Sequence, residues 1–347
     1  MSPPLRVLKM RIAIDAMGGD YAPVEQVRGA IDAAKFDNIE VILVGKKDEI
    51  NRELANYNVK GLPISVVNAP DVITMDEHPA FALRKKRGAS IAVAMRLVKE
   101  RAVDGVVALG NTGAAMTAAL IGLGRIPGIE RPAIGCPLPN NNGFSLLVDA
   151  GANANCKPHH LLYFGIMGTI YMQMTVGIHN PSVGLVNIGE EPSKGSEFYV
   201  ASYKMLKESN LNFIGNIEGR DVPTGKVDVI VCDGFVGNII LKFAEGMGAT
   251  IFDMLKKEIK DKPIAKLGGA LVKPSLKSIK TRLDPSEYGG VSLLGVDGVC
   301  VIGHGNSKAK AVRNAIRVAC QSAEKDIVGM IKDYISKMNV GDGKGDK

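Results

Sequence analysis

The stretch RIAIDAMGGDYAP runs from Arg11 to Pro23. A strand-like run, Ile12 to Ala16, leads into two glycines, Gly18 and Gly19, that stand between Asp15 and Asp20. A helix-period segment near Pro23–Ala34 follows at once. Strand, tight turn and helix in that order make the first half of a βαβ unit. Adjacent glycines at the turn mean that something lies too close to it for side chains.

The same grammar recurs along the chain. EVILVG (40–45), DGVVALG (104–110), FSLLVDAGAN (144–153), SVGLVNIGEE (182–191) and VDVIVCDGFVGN (227–238) are apolar runs, and most of them lead into helix-prone stretches. The longest such stretch runs from His159 to Thr175, and another from Ser196 to Glu208. Continuous Val, Ile and Leu runs read as strands covered on both faces. Alternation with helices gives an α/β fold, a three-layer sandwich on a mostly parallel sheet. The runs end in DAMGGD, LGNTGA, DAGANAN, NIGEE and CDGFVGN. One such turn means only that glycine closes a short βα connection. Five with recurring Asn and Asp point to one composite site at the carboxyl ends of the strands, where open α/β sheets bind ligands.

Composition narrows the partners. The 347 residues are 46% apolar and 23% charged, as in ordinary globular proteins. Aromatics are 5% and Trp is absent, which argues against stacking nucleobases and so against nucleic acid. The net charge of +7 implies an anionic partner. From Met254 to Arg282 nine basic residues face only Glu258 and Asp261, so this segment alone carries the whole excess. The five cysteines show no CxxC pair, which argues for a reducing compartment and against a disulfide framework or zinc site. MSPPLRVLKM has no apolar signal core, and no uninterrupted apolar run reaches the roughly 18 residues of a membrane span. A cytoplasmic protein is the expectation.

Several motifs fail. DAMGGDYAP lacks G-x-G-x-x-G, and GHGNSKAK (303–310) is not a Walker loop. His159 and His160 are adjacent, a poor spacing for metal ligands, and read as surface or turn residues; no metal and no cofactor is expected. Others survive. GNTGA (Gly110 to Ala114) opens a helix, whose free amides and dipole suit phosphate; Asn111 and Thr112 add side-chain donors. An ordinary N-cap by Asn111 or Thr112 explains it equally well. DGFVGNIILK (Asp233 to Lys242) repeats the design with Asn238, and GEEPSKGSE puts Lys194 just before a helix, where a solvated surface lysine is the plain alternative.

IDAMGGDYAP, ALGNTGA, DAGAN, NIGEE followed by KG, DGFVGN, and YGGVSLLGV with GHGNS occur in one order. Together they resemble the bacterial phosphate acyltransferase family of phospholipid synthesis over about Met10 to Tyr334. Two small departures stand out, DAGAN for the commoner DVGAN and GHGNS for AHGSS, at Ala150, Gly303 and Asn306. The resemblance implies transfer of a fatty acyl group from the thioester of acyl carrier protein to inorganic phosphate, giving an acyl phosphate for a membrane glycerol-3-phosphate acyltransferase. It implies a fold similar to phosphotransacetylase and the isocitrate/isopropylmalate dehydrogenases, and a homodimer. It makes Lys194 and Asn238 the catalytic candidates. Phosphate and substrate would meet Gly18, Gly19, Asp20, Asn111, Thr112, Gly113, Asp149, Asn153, Asp233, Gly237 and His304. On this reading Gly18 and Gly19 let backbone amides approach phosphate or the thioester. Asp15 and Asp20, which would repel phosphate, orient Lys194, His304 or the turn. His304 as general acid ranks below a structural or phosphate-orienting role. Cys232, inside VIVCDG, reads as a buried strand residue and not as an acyl carrier.

Such chemistry needs few special side chains. Phosphate is already an oxyanion and a thioester is a reactive donor. Positioning and fixed donors for the tetrahedral oxyanion suffice. One catalytic domain over residues 10–337 is expected, with 246–283 as a protruding basic helical hairpin and 338–347 as a disordered tail. In the hairpin Leu267, Leu271, Lys266 and Lys273 are candidates for contact with an anionic membrane. The segment also suits an acidic carrier protein, or packing on the partner subunit. Part of it packed and its tip on the membrane is the expectation, hence peripheral attachment to the inner face of the cell membrane. Three rival functions differ in their needs. A metal- and NAD-dependent dehydrogenase of similar fold needs an Asp cluster and a nucleotide pocket, neither evident. A transferase for short acyl-CoA differs only in donor. A non-enzymatic lipid-surface protein leaves the glycine turns without purpose.

Overall fold

Ile12, Ala13 and Ile14 have no exposed surface, which requires a strand covered on both faces. The computed structural model of the chain describes residues 10–74, 77–260 and 262–342. In chain order the elements are β1 (Arg11–Asp15), α1 (Val24–Phe36), β2 (Glu40–Gly45), α2 (Lys47–Leu54), β3 (Ile64–Asn68), α3 (Pro79–Lys85), α4 (Ser90–Lys99), β4 (Gly105–Leu109) and α5 (Thr112–Gly122). There follow β5 (Ala133–Asn140), β6 (Gly143–Val148), α6 (Pro158–Val176), β7 (Ser182–Val186), α7 (Glu197–Glu208), β8 (Asn212–Ile217), β9 (Val229–Val231) and α8 (Gly234–Lys260). The chain closes with α9 (Pro263–Leu283), α10 (Pro285–Tyr288), β10 (Val291–Leu294), β11 (Val299–Gly303), α11 (Ala309–Glu324) and α12 (Ile327–Asp342). Contacts divide it into two compact units, Met1–Pro132 with Gln173–Gly177 and Tyr288–Lys347, and Ala133–Met172 with Ile178–Glu287.

In the first unit the strands lie in the order β3-β2-β1-β4-β11-β10, parallel except for β10, which runs against β11. The period of two sorts their side chains. Ile12 and Ile14, with Val41, Leu43, Val107, Leu109 and Val301, share a core with Val27 and Ala30 of α1 and Val312 and Ile316 of α11. The alternate residues of the strands meet the other face, where α4 packs on β1, β2 and β4. Arg313 of α11 ties α1 by a two-armed bond to Asp37, at 2.7 and 2.9 Å. This is the α/β architecture expected, with helices on both faces.

In the second unit the order is β5-β6-β9-β7-β8, with β5 antiparallel to β6 and the rest parallel. α6 is buried on nearly every side from His160 to Met172. His160, expected at the surface or in a turn, is 3% exposed, and its Nδ1 accepts the Lys157 amide at 3.0 Å. α8 and α9 form the helical hairpin, with Ile259 against Gly269. Its first arm begins at Gly234 and not near 246, because the glycines at 246 and 248 interrupt nothing and have open space around them. α8 is thereby long and apolar enough, by length and composition alone, to cross a membrane; it is interrupted by Lys242 and Glu245, so the sequence showed no unbroken run. Lys266 and Lys273 are exposed, and Leu271 is 78% exposed; the Leu267 and Ile264 side chains lie outside the described residues. α12 reaches Asp342, so the first residues of the expected disordered tail are helical, and 343–347 lie outside the described residues.

Candidate active site

In the first unit the ends of three neighbouring parallel strands, β1, β4 and β11, come together. The neighbour that excludes side chains from the first turn is the chain itself. A Cβ on Gly18 would stand 1.9 Å from the Leu109 carbonyl oxygen. Gly19, at φ +94°, would meet the Gly305 carbonyl at 2.8 Å, and Gly110 would meet the Gly19 amide nitrogen at 2.9 Å. The Asp20 amide donates to Gly305 O at 2.8 Å, and Gln26 Nε2 donates to Gly18 O at 2.6 Å. Gly18 and Gly19 thus stay bare because three turns lie backbone on backbone, a close approach that the expectation of a nearby ligand had not included. Asp20 and His304 stand exposed on these turns, within reach of solvent.

Asp15 holds the first turn from below. It is 6% exposed, accepts the Met17 amide at 3.2 Å and the Ser90 hydroxyl, and burial pushes its carboxyl up to about 6. It therefore orients the turn. The native state binds its proton more tightly than the unfolded chain does, whose value is 3.8. Its contribution favours folding below about pH 4 and is lost as pH rises through about 6, a swing of about 3 kcal/mol at most. Asp15→Asn is expected to remove that component. In urea titrations from pH 4 to 7 the wild type should lose stability relative to the variant; parallel curves would contradict it.

The N-terminus of α5 is open. Asn111 caps it by accepting the Ala114 amide at 3.0 Å. The amides of Thr112 and Gly113, both exposed residues, have no partner among the described residues. The N-cap and the anion readings thus hold together: Asn111 takes one donor and two remain. Beside this end lies a cavity of about 300 Å³ lined by Asp15, Gly18, Gly19, Ile73, Thr74 and Asn111, among others.

The second unit repeats the device at β6 and β9. A Cβ on Gly237 would lie 1.9 Å from the Asp149 carbonyl oxygen, and one on Gly234 would lie 2.7 Å from the Asn153 amide nitrogen. Asp149 is fully buried. Its carboxylate accepts the amides of Ile134 (2.9 Å), Gly151 (3.2 Å), Ala152 (3.0 Å) and Asn153 (2.7 Å), and the Asn153 side chain (2.9 Å). Burial raises its pKa against these bonds. Both oxygens are occupied by the turn, so Asp149 and Asn153 shape it and do not offer themselves to an anion. Asp233 caps α8 by accepting the Phe235 and Val236 amides at 2.9 and 3.0 Å. That carboxylate already answers the helix dipole, which leaves α8 poorly suited to phosphate.

Asn238, in the first turns of α8, is exposed and lies on Gly151, its Oδ1 3.5 Å from the Cβ position there. Its carboxamide has no hydrogen-bond partner among the described residues. Lys194 follows β7 in an exposed loop. Its carbonyl accepts from Asn187 Nδ2 at 3.0 Å, and its ammonium reaches Glu191 only at 3.9 Å. A pair that long and exposed binds the ammonium weakly. Tyr199, which the motifs did not single out, joins this region: its hydroxyl donates to Asp233 Oδ2 at 2.8 Å, and its Cβ lies against Gly195. Burial and Asp233 both raise the phenol's pKa. A cavity of about 460 Å³ opens here, lined by Cys156, Phe198, Tyr199, Asp233 and Phe235, among others. Only its spacing of five residues after Lys194, one helical turn into α7, hinted at Tyr199. Tyr199→Phe leaves Asp233 short of a donor and should lower stability by about 1.5–3 kcal/mol in chemical denaturation. An unchanged midpoint would show the bond to be idle.

Cys232 is fully buried, and burial raises its thiol well above the ordinary range. Without a thiolate it is no acyl carrier. All five cysteines are free thiols.

Each unit thus ends its parallel strands in glycine turns that lie backbone on backbone and lead into helices. Residues 10–330 match the model of the family described as fatty acid synthesis protein. The chain is 51% identical over 331 residues to the phosphate acyltransferase of Pelotomaculum thermopropionicum, covering 95% of this chain and 96% of that one. It is 52% identical over 327 residues to that of Heliobacterium modesticaldum, covering 94% and 98%. The fold is like that of a Streptococcus pyogenes phosphotransacetylase, with a TM-score of 0.60, 18% identity and coverage of 91% and 94%. It is also like a 4-hydroxythreonine-4-phosphate dehydrogenase from Klebsiella pneumoniae, with a TM-score of 0.53, 13% identity and coverage of 91% and 98%. This chain is an acyltransferase of lipid synthesis. It belongs to the phosphate acyltransferase family.

Proposed function

We propose that the enzyme transfers a fatty acyl group from the thioester of acyl carrier protein to inorganic phosphate and releases an acyl phosphate. The observation that carries this reading is the open end of α5. Two unpartnered amides at a helix N-terminus, beside a cavity of about 300 Å³, suit a phosphate oxyanion. Asn111, Thr112 and Gly113 bind it, with Gly18 to Asp20 and His304 forming the turns around them. Phosphate oxygen attacks the thioester carbonyl, and the thiolate leaves as the tetrahedral intermediate collapses. Lys194 stabilises developing charge, and Asn238 orients phosphate or the carbonyl oxygen. An unpartnered carboxamide and a weakly paired ammonium support these roles. The test is donor and acceptor dependence. Thiol release from acyl carrier protein thioester should require phosphate; release without phosphate, or from acyl-CoA alone, would overturn the reading.

The enzyme works as a homodimer in the cytoplasm, attached peripherally to the inner face of the cell membrane. There it hands its product to a membrane glycerol-3-phosphate acyltransferase. Leu271 (78% exposed) and Val272 (48%), with Lys266 and Lys273 exposed nearby, support contact with an anionic bilayer. Leu271→Glu with Lys273→Glu should reduce flotation with anionic vesicles by about tenfold or more. Unchanged flotation would remove the membrane claim.

A further inference from the structure

α3 carries an exposed cationic surface that the reaction itself does not explain. Phe81 is 68% exposed, and Arg84, Lys85 and Arg87 are exposed. Phe81, Arg84 and Lys85 stand three and four residues apart, so they share one face of the helix. None of the three cations has an acidic partner among the described residues. Lys86 differs: its ammonium donates to the Val72 carbonyl and to Glu77, both at 2.7 Å, and so braces the segment from inside.

The position of this face matters as much as its charge. Pro79, the first residue of α3, lies 3.4 Å from the Cβ position of Gly113 at the open end of α5. Val72, Ile73 and Thr74, which precede α3, line the same cavity of about 300 Å³. A partner seated on α3 therefore stands beside the mouth of that cavity. Free phosphate needs no such platform. A thioester borne on a protein does.

We propose that Phe81, Arg84, Lys85 and Arg87 form the docking surface for the acidic face of the acyl carrier protein, with Phe81 as the apolar anchor among the cations. This rests on the donor assigned under the proposed function. Rim charges of this kind steer encounter and raise affinity in a salt-dependent way.

The test is the triple variant Arg84→Glu/Lys85→Glu/Arg87→Glu, with Lys86 left in place and Lys277→Glu/Lys280→Glu, both exposed on the hairpin, as a control. Carrier protein loaded with a palmitoyl group and a short acyl-pantetheine thioester are the two donors. The triple variant should raise KM for the loaded carrier on the order of 10- to 100-fold, and lose most of the salt dependence of the wild type. Its turnover of the pantetheine thioester, its KM for phosphate and its flotation with anionic vesicles should stay at wild-type values. The control should leave the carrier KM unchanged. An unchanged carrier KM in the triple variant would overturn the docking surface while the donor assignment stands. Loss of vesicle binding with an unchanged carrier KM would make the face a membrane contact and overturn it too. A wild-type enzyme that neither binds nor uses the loaded carrier would remove the donor assignment and the docking surface together.

Discussion

Gly237→Ala and Gly18→Ala should each cost more than about 3 kcal/mol of stability, beyond the usual penalty for an added methyl. The reason is what the new Cβ meets. At both positions it would stand 1.9 Å from a backbone carbonyl oxygen, of Asp149 for Gly237 and of Leu109 for Gly18. Neither neighbour can swing aside. The Asp149 segment is fixed by the donors on its own carboxylate, and Leu109 sits in a fully buried strand. Relief must come from parting two turns, which breaks bonds such as the 2.8 Å one from the Gly234 amide to Asn153 O. Gly219→Ala is the control, since nothing lies within 4 Å of its Cβ position. Denaturation midpoints would decide it. Variants within about 0.5 kcal/mol of wild type would mean that the turns are looser than drawn.

Lys194→Ala and Asn238→Ala should each lower turnover by about a hundredfold or more, the loss typical of a single charge-stabilising or oxyanion-binding donor. Both should leave stability nearly unchanged. Lys194 gives up only a 3.9 Å exposed ion pair, and Asn238 gives up no hydrogen bond among the described residues. That combination separates catalysis from folding. If both folded variants kept near wild-type turnover, the catalytic assignment would be wrong.

The strands that could be read from the sequence are those buried on both faces. EVILVG coincides with β2, and DGVVALG contains β4, because covered parallel strands are continuous apolar runs. β5 was illegible for a reason of the same kind. AIGCPLPN carries Pro137 and Pro139, which normally exclude a ladder, yet it pairs antiparallel with β6 through Leu146 and Phe144. β8, NFIGNI, is interrupted by Gly215 at a register shift, and its faces are only partly covered. Among the candidate residues, Gly18, Asn111 and Asp233 could be placed at strand ends because glycine turns mark them. Their partners could not be placed. That Gly18 stays bare for Leu109, or that Asp149 spends its oxygens on amides of its own turn, depends on contacts between segments far apart in sequence. Tyr199 shows the same limit, since its partner Asp233 is 34 residues away.

The most direct test of the account is to trap the product. Purified enzyme would be incubated with acyl carrier protein thioester and inorganic phosphate, with hydroxylamine added to capture acyl phosphate as the hydroxamate. The account predicts hydroxamate that appears only with phosphate and falls away in Lys194→Ala and Asn238→Ala. Folded enzyme that gives no hydroxamate with thioesters of several chain lengths would contradict it.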